Sequence, residues 1–212
     1  MKMLVRLMAV ACVLGGVACA AQGVSSGVAG KRPMTFADLQ AMKRVSDPQI
    51  SPSGKWVLFS VTDVSLEKNT KTNHLWVVPL AGGAEKQITS GAGKDEAPVW
   101  SPDERRIAFT TDREGGHEIF VMDADGGNLV RVAGNGDGNA RWSPDGRRLV
   151  FTSARTGNSE VYVMNADGSG VRNVSRHPAA DVHPAWSPDG RRITFASDRD
   201  GNLEIYSVRA PQ

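Results

Sequence analysis

The chain has 212 residues, 40% of them apolar and 23% charged, which excludes a wholly disordered or membrane-embedded protein and leaves room for one sizeable core. Twenty-five basic residues face 23 acidic ones, and two of the bases, Lys2 and Arg6, stand in the N-terminal leader, so the remainder is neutral. That balance argues against nucleic acid as a partner.

Residues 1–20 read as an export signal, with Lys2 and Arg6 ahead of an apolar run from Leu7 to Ala18 that is too short to span a bilayer. Ala18-Cys19-Ala20 fits small-residue cleavage. Val17-Ala18-Cys19 also resembles the end of a lipobox, although Gly16 stands where a larger aliphatic residue belongs. Membrane attachment therefore depends on lipidation of Cys19, and the expected location is the periplasm or cell envelope. Cys12 and Cys19 are the only cysteines, so the exported domain is expected to lack disulfides and thiolate metal sites.

Residues 21–33 form a Gly/Ser/Ala-rich tether. Thr35-Phe36-Ala37-Asp38 has the form of a capping box, and Phe36, Leu39 and Met42 recur every three residues. A short helix is predicted for the segment 34–46, with its amphipathic part over about 36–43.

From residue 47 the chain repeats. Ser-Pro recurs at Ser51, Ser101, Ser143 and Ser187, at spacings of 50, 42 and 44 residues. Trp100, Trp142 and Trp186 precede three copies, and Ile50 the first. The copies run as short strand, Ser-Pro-Asp-Gly turn, of which Pro52-Ser53-Gly54 and Pro102-Asp103-Glu104 are variants, apolar strand, polar loop, second apolar strand, Asp-Gly turn and a final strand. Proline presets φ and Asp-Gly supplies the small, positive-φ positions of a hairpin turn. Ile107 and Phe109, Leu149 and Phe151, and Ile193 and Phe195 alternate with smaller or polar residues, which marks half-buried strands. The following strands, Ile119 to Met122 and Val161 to Met164, are continuously apolar and suit burial on both faces. The predicted fold is all-β, a propeller of about four antiparallel four-stranded blades at about 47–96, 97–138, 139–182 and 183–212. The fourth blade reaches Gln212 before its outer strand, so either the blades form an open arc or the chain is a piece of something longer.

The motifs Trp-Ser-Pro-Asp-Gly-Arg-Arg at residues 142–148 and 186–192, Phe195-Ala196-Ser197-Asp198-Arg199-Asp200-Gly201-Asn202 and Glu204-Ile205-Tyr206 resemble the WD40-like repeat of the TolB propeller family. Residues 34–39, 45–56 and 75–79 are similar to the start of the S9 prolyl oligopeptidase family. The first resemblance implies an exported, non-catalytic module that binds a protein of the envelope. The second implies the propeller of a serine peptidase whose partner is its own hydrolase domain, and the chain departs from that family in ending within repeats. No catalytic residue is carried over.

Other motifs read as structural. Gly23-Val24-Ser25-Ser26-Gly27 matches a nucleophile elbow but lacks the strand and helix that such a serine needs. Asp123-Ala124-Asp125-Gly126 and Asn165-Ala166-Asp167-Gly168 lack the further ligands of a calcium loop and read as hairpin turns. His74, His117, His177 and His183 form no metal-spaced pattern, so no metal or cofactor is expected. The tryptophans before each turn read as core anchors. Candidate interaction residues are Arg106, Arg148 and Arg192, a recurring positive position on hairpin edges, with His183 at the entry to the last blade and Asp198 and Arg199 in a polar loop that either pairs internally or meets a partner.

Overall fold

The computed structural model describes residues 35, 38 and 42–211, with the exception of 66 and 135. The expected signal peptide and tether, both cysteines and the elbow-like serine lie outside the described residues, as do Phe36 and Leu39. Thr35 and Asp38 form a capping pair. The Asp38 carboxylate accepts from the Thr35 amide at 2.8 Å and hydroxyl at 2.7 Å, and the Asp38 amide donates to Thr35 Oγ1 at 3.2 Å.

The segment expected to be helical as far as residue 46 is a strand from Arg44 onward. Val45 and Ser46 pair with Val61 and Ser60, supplying a strand that the first sheet would otherwise lack along that edge. A cross-strand ladder outweighs a three-residue apolar periodicity.

Residues 44–211 form four antiparallel sheets in chain order. The first holds β1 (Arg44–Ile50), β2 (Trp56–Ser65), β3 (Thr70–Pro79) and β4 (Lys86–Gln87). The second holds β5 (Asp95–Trp100), β6 (Arg106–Thr111), β7 (Glu118–Asp123) and β8 (Val130–Ala133). The third holds β9 (Asp137–Trp142), β10 (Arg148–Ser153), β11 (Glu160–Asn165) and β12 (Arg172–Asn173). The fourth holds β13 (Asp181–Trp186), β14 (Arg192–Ser197) and β15 (Glu204–Arg209), three strands among the described residues. Strand order follows sequence order in every sheet, as meanders joined by tight turns require.

The first strands of successive sheets touch one another, β1 with β5, β5 with β9 and β9 with β13, which places them on the inner side of the stack. Apolar clusters fill the space between neighbouring sheets. Leu58, Leu75 and Val77 meet Ile107, Phe109, Phe120 and Met122. Val99, Ala108, Ile119 and Val121 meet Trp142, Leu149, Phe151, Tyr162 and Met164. Val150, Val161 and Val163 meet Ile193, Phe195 and Ala210. The alternating residues of β6 and β10 thus divide between the preceding and the following blade, and Ile193 and Phe195 of β14 face the preceding one. The middle strands β7 and β11 are covered on both faces, as their apolar runs predict, whereas β15 is mostly exposed.

Candidate functional site

The Ser-Pro-Asp-Gly turns are built around the serine hydroxyl. Ser143 Oγ donates to Asp145 at 2.5 Å and accepts from the Arg148 amide at 2.9 Å, while the Gly146 amide donates to the Ser143 carbonyl at 2.8 Å. Ser101 with Asp103 and Ser187 with Asp189 repeat these contacts. The serine hydroxyl, joined by the following backbone amide and the neighbouring arginine charges, holds Asp103, Asp145 and Asp189 below the usual carboxyl range. In the first blade Ser53 replaces the aspartate, and Glu104 of the next turn reaches back to the Ser53 amide and hydroxyl.

The recurring arginines of the second and third blades stack across the blade boundary. Arg106 is half-buried, lies 4.6 Å over the ring of Trp142 in the next blade, and donates to the Gly146 carbonyl at 2.8 Å. Arg148 likewise lies 4.8 Å over Trp186 and donates to the Pro211 carbonyl. Trp142 Nε1 in turn donates back to the Val99 carbonyl, and Trp186 Nε1 to the Arg141 carbonyl, each at 3.3 Å. The tryptophans are anchors, as their placement predicts, but anchors between blades. Arg192 occupies the same position in the fourth blade, is exposed, and folds back onto Ser207.

Arg199 belongs to a second repeated unit that the sequence left unresolved. Asp95, Asp137 and Asp181 open the first strands with no exposed surface, and each pairs with the arginine eighteen residues on: Arg113 at 2.7 Å, Arg155 at 2.6 Å and Arg199 at 3.0 Å. Each guanidinium also lies over two rings, Arg155 over Phe151 and Tyr162, Arg199 over Phe195 and Tyr206. Burial raises Asp137, against the lowering pull of the Ser153 hydroxyl and Arg155. Asp198 accepts from the Ala180 amide at 3.0 Å, and its counterpart Asp112 accepts from the Lys94 amide at 2.6 Å, so both tie a polar loop to the strand beside it. The polar loop pairs internally.

His183 is placed by backbone geometry. Asp47, Ala97, Asn139 and His183 each stand four residues before a turn serine, at a bulge in the first strand, with φ of 51°, 49°, 54° and 54°. Such left-handed φ disfavours residues other than glycine by roughly 1–2 kcal/mol. Asp47, Asn139 and His183 are exposed, so one strained position of the repeat presents a different chemistry in three blades. Between the second and third blades this inner surface opens into a cleft of about 290 Å³ lined by Glu96, Ala97, Thr110, His117, Asp137 and Asn139. The sequence did not single out Glu96 or Asn139. The signal was available in the Asp47-Pro48, Ala97-Pro98 and His183-Pro184 steps, since proline in a first strand marks a break in its ladder. Among the described residues no three His, Cys, Asp or Glu side chains gather as a metal site requires. His74 lies 3.6 Å from Asp95, and His177 Nδ1 accepts from the Ala179 amide.

Antiparallel sheets stacked through their first strands, with an Arg-Trp contact joining the second sheet to the third and the third to the fourth, define a β-propeller repeat protein. The family model of the TolB β-propeller domain, PD40, matches residues 34–141 and 137–212, and the chain belongs to that family. The chain is 32% identical over 103 residues to the peptidase YuxL of Bacillus subtilis (strain 168), a match covering 48% of this chain and 16% of YuxL. Among solved structures, TolB from Acinetobacter baumannii matches with a TM-score of 0.65 and 25% identity, over 79% of this chain and 41% of that one. A puromycin-hydrolysing peptidase from Mycobacterium tuberculosis shares the fold with a TM-score of 0.62 and 18% identity, over 78% of this chain and 29% of that one. The match thus spans less than half the length of each of these three relatives.

Proposed function

We propose that this chain is an exported, non-catalytic propeller that docks a protein partner at the cell envelope, using the inner surface formed by Asp47, Asn139 and His183. The observation that carries this reading is the chemical variation at the exposed bulge position, set against turns, ion pairs and tryptophans that repeat from blade to blade. A scaffold that repeats everything structural and varies what it exposes is built for recognition. The TolB likeness supports the envelope as the setting, and the surface needs no cofactor.

A second reading is favoured by the peptidase relatives: the chain forms the propeller of an S9-type serine peptidase, and the same surface faces a hydrolase domain. A photo-reactive residue placed at position 139 or 183 separates the two. A discrete adduct with a distinct envelope protein supports docking, and an adduct with an α/β-hydrolase domain supports the second reading. Adducts formed instead from the outer loop at Thr156, with none at 139 or 183, would reject this surface. Turnover of dipeptidyl chromogenic substrates by the purified chain would reject the non-catalytic reading.

A further inference from the structure

The buried aspartates that open β5, β9 and β13 have different neighbours at each blade boundary. Lys94 and Glu96 flank Asp95, Ala180 and Val182 flank Asp181, and Gly136 and Gly138 flank Asp137. Two residues without side chains leave space between the second and third blades, where the cleft of about 290 Å³ lies. Three oxygens of residues that line it are buried without a hydrogen-bond partner: Thr110 Oγ1 on β6, Thr152 Oγ1 on β10 and Asp137 Oδ1 on β9. Thr110 is 8% exposed and Asp137 has no exposed surface. Asp137 Oδ2 is held by Arg155, and the Ser153 hydroxyl accepts from Arg155 Nε at 2.8 Å. In the first blade the equivalent hydroxyl, Ser60 Oγ, donates to the Asp95 carbonyl at 3.4 Å. Unmade hydrogen bonds are costly in a buried site, and three beside one opening mark a place where a ligand supplies them.

The oxygens also define the ligand. All three can accept, the carboxylate can do nothing else, and Glu96 adds a negative charge at the exposed rim. An anion is therefore repelled. A hard metal cation would find too few carboxylates, since among the described residues no three His, Cys, Asp or Glu side chains gather. A primary ammonium carries three N–H donors, one for each unpartnered oxygen. Because those oxygens are buried, the charge must arrive on an unbranched stem, and Ala97, Gly136 and Gly138 give the methylenes a wall without polar side chains. We propose that this cleft takes the ammonium of a lysine side chain on the docked partner, held by Asp137 Oδ1, Thr110 Oγ1 and Thr152 Oγ1. The inference rests on the reading that the inner surface docks a protein, and it names the group that the surface receives beside Asn139.

The test titrates the full chain, labelled with nitrogen-15, with Nα-acetyl-lysine methylamide up to on the order of 50 mM, the range in which a single side chain binds. Saturable shifts at the Gly136, Gly138 and Asn139 amides are expected. The Nε-acetylated probe and alanine methylamide, which imitates a chain N-terminus, are expected to bind at least about tenfold more weakly. Thr110→Val and Thr152→Val are each expected to weaken the lysine probe about tenfold. Gly138→Val introduces the residue that stands at 182 in the last blade, and a Cβ there meets Thr110 Oγ1 at 3.6 Å, an ordinary contact, so it is expected to fill the cleft and abolish binding. Thr110→Val is also expected to keep or raise the thermal midpoint, because it removes a hydroxyl that has no partner. A lowered midpoint overturns the proposal, since the hydroxyl would then be satisfied already. Absent shifts, equal binding of the acetylated probe or of alanine methylamide, or stronger shifts with calcium chloride than with lysine overturn it too. An unresponsive cleft together with adducts from position 139 overturns this inference and keeps the docking reading, whereas a lack of adducts rejects that reading alone.

Discussion

The guanidinium of Arg106 lies 4.6 Å above the ring of Trp142, one blade further along the chain, and donates to the Gly146 carbonyl beside it. One side chain thus joins a stacking contact to a hydrogen bond across a blade boundary. Arg106→Ala is expected to cost about 2–4 kcal/mol in urea unfolding, the sum of a partly desolvated cation–π contact and a charge-assisted hydrogen bond. Arg106→Lys recovers only part of this, because an ammonium cannot both lie flat on the indole and reach the carbonyl. Arg192→Ala, at the equivalent position without a tryptophan, is expected to stay within about 0.5 kcal/mol of the parent. Equal losses at 106 and 192 would show that the stacking contributes nothing.

The buried pair Asp137 and Arg155 responds differently. Arg155→Met strands a carboxylate that has no exposed surface, and the expected loss is about 3–5 kcal/mol. Asp137→Leu strands the guanidinium, which retains 28% exposure and two aromatic faces, so the loss is expected to be smaller. The double substitution is expected to lie closer to the parent than the sum of the single ones, since neither charge is then left alone. Additive losses in a double-mutant cycle would count against a coupled pair.

The blade count, the turns and the alternation in β6, β10 and β14 were legible because they are local. A proline before Asp-Gly, or a phenylalanine two residues from an isoleucine, carries its meaning within a few positions. The Asp137–Arg155 pair was not legible as a pair. Its members lie eighteen residues apart, one opening a first strand and the other in the polar loop after the second, and only the fold shows that their recurrence in three blades is a contact. For the same reason the arginine after each turn read as surface charge, since its tryptophan partner belongs to the next repeat. Arg44 to Ser46 read as helix because nothing local reveals that Val61 and Ser60 await a partner.

The outer Asp-Gly turns provide a second test of blade packing. Gly126 and Gly168 have φ of 95° and 87°, and a Cβ there would stand 2.5 Å from the Ile88 carbonyl oxygen and 2.6 Å from that of Val132, both on the preceding blade. Gly157 has φ of 104° with nothing within 4 Å of such a carbon. Gly157→Ala therefore carries only backbone strain, about 1–2 kcal/mol. Gly126→Ala and Gly168→Ala add a clash with fixed backbone and are expected to lose a further 1–3 kcal/mol or so. Thermal unfolding of the three variants separates the two contributions. A loss at 157 as large as that at 168 would show that the contact between blades is loose.

The turn aspartates give the stability a defined pH dependence. The Ser143 hydroxyl, then the Arg147 amide and the charges of Arg148 and Arg147, hold Asp145 below its ordinary value of 3.8. A carboxyl lowered in the folded state contributes stability above the unfolded value, and that contribution is lost as pH falls through the folded value. Asp137 is raised by burial, so its effect has the opposite sign: protonation favours the folded chain as the medium becomes acidic. The acid limb of the whole protein mixes both signs, and a difference curve isolates the turn. Asp145→Asn keeps an oxygen for the serine hydroxyl and the amide but removes the charge. The parent is expected to exceed this variant in unfolding free energy by a constant amount from pH 7 down to about 5, with the gap closing below 3.8. A gap that stays constant to pH 2 would mean that Asp145 acts through shape alone, and one that widens on acidification would reverse the assigned direction of its shift.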